Sequence, residues 1–265
     1  MNKSGFILLS FIVSFLWVQG SSATTIVVDR QVAYGSVIDP SKSALLPGQT
    51  STSANFTNRA GGLTDILIDV DGLGNASALG VSDFEFRVGN SGTPSTWSLL
   101  AASPTLSVVG SGGLGGADRI QLNWSTGLIE NTWLQIRLLA TGNSGLSTAD
   151  EFYFGHSFGD VNGDGALTAA DPLSIINEIN AVGVGPVDVT SPFDINRDGS
   201  LTAADSLLLI NALNAGGHDS LASLTAPTSS GGTPGNGGQP VPEPPILALL
   251  ASGIIALRAS RRHLI

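Results

Sequence analysis

The first half of the chain alternates apolar and polar residues over short stretches separated by clusters of Gly, Asn, Ser and Pro. Alternation with a period of two places one side of a strand in a core and the other towards solvent. The predicted strands are residues 25–30, 63–70, 83–88, 96–100, 105–109, 119–124, 132–139 and 151–154. Eight short strands with turns between them favour an all-β, antiparallel sandwich or jelly-roll domain over residues 24–158.

The periodicity changes beyond this region. Apolar residues recur three positions apart after residue 171, and the same spacing returns 34 residues later. Such spacing forms one face of a helix, so two short amphipathic helices are predicted. A repeat of this length indicates two similar supersecondary units that pack on each other. The repeated positions are Leu173, Ile176 and Ile179, then Leu207, Ile210 and Leu213.

The N-terminal residues 1–23 have the features of a secretory signal peptide. Lys3 precedes an apolar run over residues 6–18, and small residues follow it. A run of about thirteen residues with these flanks is typical of a cleaved signal, since a bilayer span needs about twenty. A retained membrane anchor is the alternative.

Composition shifts again after residue 216. Residues 217–240 become rich in Gly, Pro, Ser and Thr, without helical or strand periodicity. This composition predicts a flexible linker. Residues 241–265 then combine a proline-rich start, an apolar run and a basic end.

Charge and cysteine content narrow the possible partners. The chain carries 21 acidic and 11 basic residues, for a formal net charge of −10, and it has no cysteine. Nucleic-acid binding is disfavoured because phosphate contacts need basic residues. An exported protein without disulfides depends on its core and on bound ions for stability.

An acidic twelve-residue stretch precedes each predicted helix, at residues 160–171 and 194–205. Oxygen-bearing side chains occupy positions 1, 3, 5 and 12, and a glycine occupies position 6. Calcium prefers six to eight oxygen ligands, and a loop of this pattern supplies them from alternate positions, with the backbone carbonyl at position 7. Asp, Asn and Gly also form ordinary turns, but repetition in register before two helices favours calcium loops.

Residues 159–216 resemble a type I dockerin: two loop-helix repeats, no helix before either loop, and Asp at position 12. The resemblance implies a small α domain of EF-hand type with two antiparallel helices, two Ca²⁺ ions and docking to a cohesin-like module. Positions 10 and 11 are Ala pairs in both loops, whereas many dockerins carry polar pairs there. The implied metal residues are Asp160, Asn162, Asp164, Ala166, Thr168 and Asp171 in the first loop, and Asp194, Asn196, Asp198, Ser200, Thr202 and Asp205 in the second.

Residues 241–265 resemble a PEP-CTERM sorting tail. Pro242, Glu243 and Pro244 precede an apolar run over residues 246–257, and Arg258, Arg261 and Arg262 follow this run. The resemblance implies a short transmembrane helix, recognition by an exosortase-type enzyme, and an exported protein at the cell envelope or extracellular surface. A permanent anchor or an amphipathic tail is the alternative.

Several residues of the β domain invite a functional interpretation. Trp97, Trp124 and Trp133 form either a sugar-stacking platform or part of the core. Asp83 and Glu85 are two residues apart, yet nothing marks them as an acid and a base.

Two further sites have simpler explanations. Residues 69–72 form either part of a calcium site or a strand that ends in an Asp-Gly turn. His156, beside the domain junction, suits a structural hydrogen bond better than catalysis.

These observations predict a calcium-binding surface protein that is not an enzyme. Its dockerin-like module docks to a cohesin-like partner or stabilises a surface assembly. The alternative is a component of extracellular polysaccharide binding or breakdown, in which the β domain binds or cleaves glycans.

Overall fold

A computed structural model describes residues 24–228 of the chain. The predicted signal peptide, the second part of the predicted linker and the predicted sorting tail lie outside the described residues. The strands are β1 (Ile26–Tyr34), β2 (Val37–Ile38), β3 (Phe56–Thr57), β4 (Asp65–Asp71), β5 (Phe84–Gly89), β6 (Ser98–Leu99), β7 (Thr105–Val109), β8 (Asp118–Asn123), β9 (Thr132–Leu138), β10 (Asp150–His156), β11 (Gly185–Pro186) and β12 (Ser200–Leu201). The helices are α1 (Ala170–Val182) and α2 (Ala203–Asn214).

Ten strands form two five-stranded sheets. The first sheet has the order β2-β1-β4-β8-β7, and the second has the order β3-β10-β9-β5-β6. All pairings are antiparallel except that of β3 with β10, which is parallel. The prediction of an all-antiparallel domain is therefore wrong at this edge, where the two residues of β3 reach β10 from a distant part of the chain.

The two sheets share one apolar core. Strand alternation points Ile66, Ile68 and Val70 of β4 inward, and these residues meet side chains of β5, β9 and β10 from the opposite sheet. Phe86 packs edge-on against Trp124 with 5.2 Å between ring centroids. This shared core makes the β region a sandwich, as the sequence predicted.

A second apolar cluster covers the outer face of the second sheet. Trp133 and Tyr153 point outward from β9 and β10 and pack with Trp97. Leu221 and Leu224, beyond α2, complete this cluster. We call residues 219–226 the C-terminal strap, because they lie across the sheet.

The sequence predicted a flexible linker over residues 217–240. This prediction is wrong for its first ten residues, because the strap is held against the sandwich. The indole N–H of Trp133 donates to the Ala222 carbonyl at 2.8 Å, and the Ser51 N–H donates to the Leu224 carbonyl at 2.8 Å. The backbone N–H of Ala226 donates to the Gln49 carbonyl. Composition suggested disorder because the stretch has few apolar residues and no periodicity, but Leu221, Leu224 and Ala226 are buried in a groove that sequence periodicity cannot show.

The burial and contacts of the tryptophans and of Asp83 decide between the interpretations that the sequence left open for the β domain. Trp97, Trp124 and Trp133 are all at most 4% exposed, so they belong to packed clusters and do not form an exposed sugar platform. Asp83 accepts hydrogen bonds from the Gly80 N–H and the Thr141 hydroxyl.

The carboxylate of Glu85 also has structural partners. Glu85 pairs with Arg87 and Arg137. Strand β4 ends at Asp71, and Gly72 takes a φ of +74°, as an Asp-Gly turn requires. Within residues 24–228, no helix is both long and apolar enough to cross a membrane.

His156 makes the stability of this region depend on pH. Its Nδ1 accepts from the Asn131 N–H at 3.2 Å, so Nε2 carries the proton and donates to the Arg59 carbonyl at 2.7 Å. Burial, with smaller contributions from the charges of His218 and Arg197, lowers the pKa of His156 to about 4, although the hydrogen bond to the Arg59 carbonyl opposes this shift. The imidazole is therefore neutral and structural in the folded chain.

Acidification is expected to destabilise the protein through His156. The unfolded chain takes up the proton near pH 6.5 and the folded chain only near pH 4, so stability falls between these values. The expected loss at pH 4 is about 3 kcal/mol relative to pH 7. Urea unfolding of the wild type and of His156→Gln across this range measures it. The variant should lose less stability on acidification, and equal losses would contradict the assignment.

Candidate metal centre

Asp160, at position 1 of the first loop, organises the turn that follows it. One carboxylate oxygen accepts from the Gly163 N–H at 2.7 Å, and the other accepts from the Gly165 N–H at 2.7 Å. Gly165, at position 6, has a φ of +87°, where a side chain would add strain. The backbone therefore curls around the Asp160 carboxylate.

Positions 3 and 5 extend this curl towards the helix. The Asn162 side-chain oxygen accepts from the Asp164 N–H at 2.9 Å, and the Asp164 carboxylate accepts from the Ala166 N–H at 2.9 Å. Each side chain thus folds back on the backbone two residues later. The side chains of positions 1, 3 and 5 supply oxygen atoms from alternate residues of one short loop.

Asp171, at position 12, closes the loop. One oxygen accepts from the Val161 and Asn162 N–H groups at 2.8 and 3.1 Å. The other accepts from the Thr168 N–H at 2.8 Å and from the Thr168 hydroxyl at 3.1 Å. The same carboxylate therefore joins the start of the loop to the first turn of α1.

The second loop repeats this arrangement at equivalent positions. Asp194 accepts from the Gly199 N–H at 3.1 Å. Asp205 accepts from the Ile195 N–H at 2.9 Å and from the Thr202 N–H at 3.0 Å. Thr202 caps α2 by accepting from the Ala204 N–H. The two loops thus share geometry as well as sequence.

The loops concentrate buried negative charge. Asp160, Asp171, Asp194 and Asp205 are at most 3% exposed, whereas Asp164 and Asp198 are exposed. Across residues 24–228, none of these six carboxylates forms an ion pair with Lys or Arg. Buried carboxylates without a cationic partner are costly, so an oxygen-lined site for a hard cation fits their chemistry.

Burial raises the pKa of Asp160 to about 6, and the charges of Asp171 and Asp164 contribute to the rise. The N–H groups of Gly165 and Gly163 oppose this shift. In the described part of the chain, no three His, Cys, Asp or Glu side chains converge as a metal cage by themselves. A metal ion in either loop would need further oxygen donors, and the amide oxygen at position 3 and the carbonyl at position 7 are of the kind that calcium prefers.

Residues 158–214 match the family model described as Dockerin type I domain. This part of the chain is a dockerin domain. The match covers about a fifth of the 265 residues. A search of curated proteins and a search of solved structures each found no match.

The helices of the dockerin domain pack differently from what the repeat suggested. Ile175 and Leu209 are fully buried and form the core with residues of both loops. Leu173 and Leu207 are each 54% exposed, and Ile176 and Ile210 are also exposed. The spacing of three correctly predicted an apolar helix face, but the structure leaves much of that face at the surface.

The sequence interpretation missed the residues that attach the dockerin domain to the sandwich. Asn58 and Arg59 of the sandwich, and Arg197 at position 4 of the second loop, make these contacts. The one available signal was Arg197, because the first loop has Gly163 at the same position. Arg197 takes a φ of +65°, which is uncommon for a residue with a side chain.

Proposed function

We propose that this protein binds two Ca²⁺ ions in its dockerin domain and docks through the exposed apolar face of α1 and α2. Dockerin domains in general bind calcium and mediate docking to cohesin modules. The observation that supports the proposal for this chain is the exposure of Leu173 and Leu207 beside two loops whose buried carboxylates form no ion pair with Lys or Arg within residues 24–228. These leucines occupy equivalent positions of the two repeats.

Each loop would hold one ion. The carboxylates of positions 1, 5 and 12, the amide oxygen of position 3 and the carbonyl of position 7 are the donors, and they agree with the oxygen preference of calcium. The hydroxyls of Thr168 and Thr202 already accept from the backbone N–H groups of Ala170 and Ala204, at the start of the helix that follows each loop. We therefore assign position 9 to the support of the helix start and of the position 12 carboxylate.

The docking face has a defined chemistry. Two shallow depressions lie along α1 and α2, and Ile176 and Ile210 contribute to both. Neither helix contains Lys or Arg. A partner for this face would present apolar side chains and groups that bond to the Asn side chains, so we assign a cohesin-like module as the occupant.

Charge at the centre of this face should abolish docking. The double variant Leu173→Asp, Leu207→Asp is expected to bind a type I cohesin module at least about a hundredfold more weakly, since each buried Leu contributes about 1.5–3 kcal/mol. Binding by the wild type should also disappear in chelator. Surface plasmon resonance with and without calcium measures both effects.

Leu114→Asp serves as the matched control, because Leu114 is 60% exposed on the sandwich, outside the proposed docking face. It should bind like the wild type. Unchanged affinity in the Leu173, Leu207 double variant would place docking elsewhere. A chain that binds calcium but no cohesin module would instead support a structural role at the surface.

We place the protein outside the cytoplasm, in keeping with its dockerin domain. The sorting tail and its exosortase-type partner rest on residues 241–265 of the sequence alone. The sandwich is proposed as a non-catalytic support that presents the dockerin domain. The tryptophans do not support the alternative role in polysaccharide binding, because their indoles are buried.

A further inference from the structure

One sandwich residue, Asn58, contacts the dockerin domain immediately before both calcium loops. Its carbonyl accepts from the Gly159 N–H at 2.7 Å, one residue before Asp160. Its side-chain amide donates to the Pro192 carbonyl at 3.0 Å, two residues before Asp194. Asn58 is buried, so these bonds are shielded from competition by water.

The residues after Asn58 continue the contact with the second loop. Arg59 is 2% exposed and donates to the Ser191 carbonyl at 2.8 Å. The Ala60 N–H donates to the Ile195 carbonyl at 2.9 Å. Ile195 is position 2 of the second loop, and its own N–H donates to the Asp205 carboxylate.

Arg197, in the second loop, also contacts the sandwich. Its guanidinium donates to the Ala60 carbonyl at 3.2 Å and lies 5.7 Å from the Tyr34 ring centroid. The Arg59 guanidinium lies 4.4 Å from the same ring. Both arginines therefore fasten the second loop to one aromatic residue of β1.

The first loop meets the same region of the sandwich at position 4. A Cβ added to Gly163 would lie 2.7 Å from the Ser53 Cβ. The absence of a side chain at Gly163 lets this loop approach closely, whereas the second loop uses the long side chain of Arg197. Position 4 of each loop thus contacts the sandwich, whereas the oxygen-bearing positions of the loop do not have this role.

We propose that Asn58 is a positioning residue for both calcium loops and that it couples their metal binding to each other and to the sandwich. This inference rests on the proposed calcium binding. A loop whose start is already held loses less conformational freedom when it closes on an ion. Because coupling is reciprocal, calcium bound in the loops also stabilises the sandwich segment that holds them.

Calcium titration calorimetry of the whole chain tests the coupling between loops. Wild-type protein should bind two ions in one transition. Asn58→Asp removes the amide donor and keeps the shape of the side chain, so it should weaken the second site by up to about tenfold and separate the two steps. Asn75→Ala, an exposed asparagine between β4 and β5, is the control and should leave the titration unchanged.

Hydrogen exchange tests the coupling to the sandwich. The Ser157 N–H donates to the Thr57 carbonyl, and its exchange should slow on calcium addition in the wild type. Arg197→Gly gives the second loop the same residue at position 4 as the first loop has, and it removes the contacts to Ala60 and Tyr34. This variant should keep its calcium loop but lose much of the calcium-dependent slowing, whereas a general loss of stability would raise exchange equally with and without calcium.

The outcomes separate the two proposals. A wild-type chain that takes up no calcium would overturn the proposed function together with this inference. Calcium binding with a single transition in Asn58→Asp, and with wild-type slowing of exchange in Arg197→Gly, would overturn the inference alone.

Discussion

Removal of calcium is expected to lower the thermal unfolding midpoint of the chain by about 10–20 °C. Each ion adds about 2.7 kcal/mol at a free concentration a hundredfold above its dissociation constant. For a protein of this size, 1 kcal/mol shifts the midpoint by about 2–4 °C. Without the ions, the buried carboxylates Asp160, Asp171, Asp194 and Asp205 have no Lys or Arg partner within residues 24–228.

Differential scanning calorimetry in millimolar calcium and in chelator measures this shift. Magnesium in place of calcium is the control, because its smaller ion demands octahedral geometry and keeps its waters, so it should restore only a small part of the midpoint. Equal midpoints with calcium and with chelator would contradict calcium binding by these loops.

The transition is also expected to involve the sandwich. The strap residue Leu221 donates its N–H to the Gly165 carbonyl of the first loop at 2.7 Å, and its side chain packs in the cluster with Trp133. Loss of the first loop would therefore disturb the outer face of the second sheet. Near-ultraviolet circular dichroism of the buried tryptophans should change together with the helical signal.

The turn geometry of the two acidic loops was predictable because it is local. The carboxylate contacts that curl the first loop join residues at most ten positions apart, such as Asp171 and Val161. Side-chain type and spacing determine such contacts, so the repeat at residues 160–171 and 194–205 was enough to predict them. The strands of the sandwich were predictable for a similar reason, because alternation reports which side of each strand is buried.

Contacts between distant residues could not be predicted. Strands β2 and β3 have two residues each, which is too short for alternation to be recognised. The strap depends on a groove whose walls are Leu45, Phe56 and Trp133, far from it in sequence. Asn58 has no local feature that distinguishes it from the other asparagines of the chain, and only the assembled fold brings it to both loops.

The sequence also could not predict which side of each helix is buried. Leu173 and Ile175 are both apolar and two residues apart, yet one is exposed and the other is fully buried. A helix with apolar residues on more than one side does not indicate which side faces its neighbour. The choice depends on the packing of both loops around Ile175 and Leu209.

Removal of the exposed carboxylates at position 5 is expected to abolish calcium binding one loop at a time. Asp164→Ala should reduce the stoichiometry from two ions to one, and Asp198→Ala should do the same for the other loop. Loss of one charged ligand is expected to weaken a site at least about a hundredfold, which corresponds to about 2.7 kcal/mol. The double variant should bind neither ion at micromolar calcium, as measured by calorimetric titration.

Asp188→Ala is the matched control for these variants. Asp188 is exposed and accepts from the Thr190 N–H two residues later, just as Asp164 accepts from the Ala166 N–H. The three substitutions therefore remove the same kind of turn contact, but only two of them remove an oxygen from a loop. If the loops were ordinary turns, all three variants would titrate alike. A selective loss of calcium in Asp164→Ala and Asp198→Ala would show that these oxygens bind the metal, because the cost of the lost turn is common to all three.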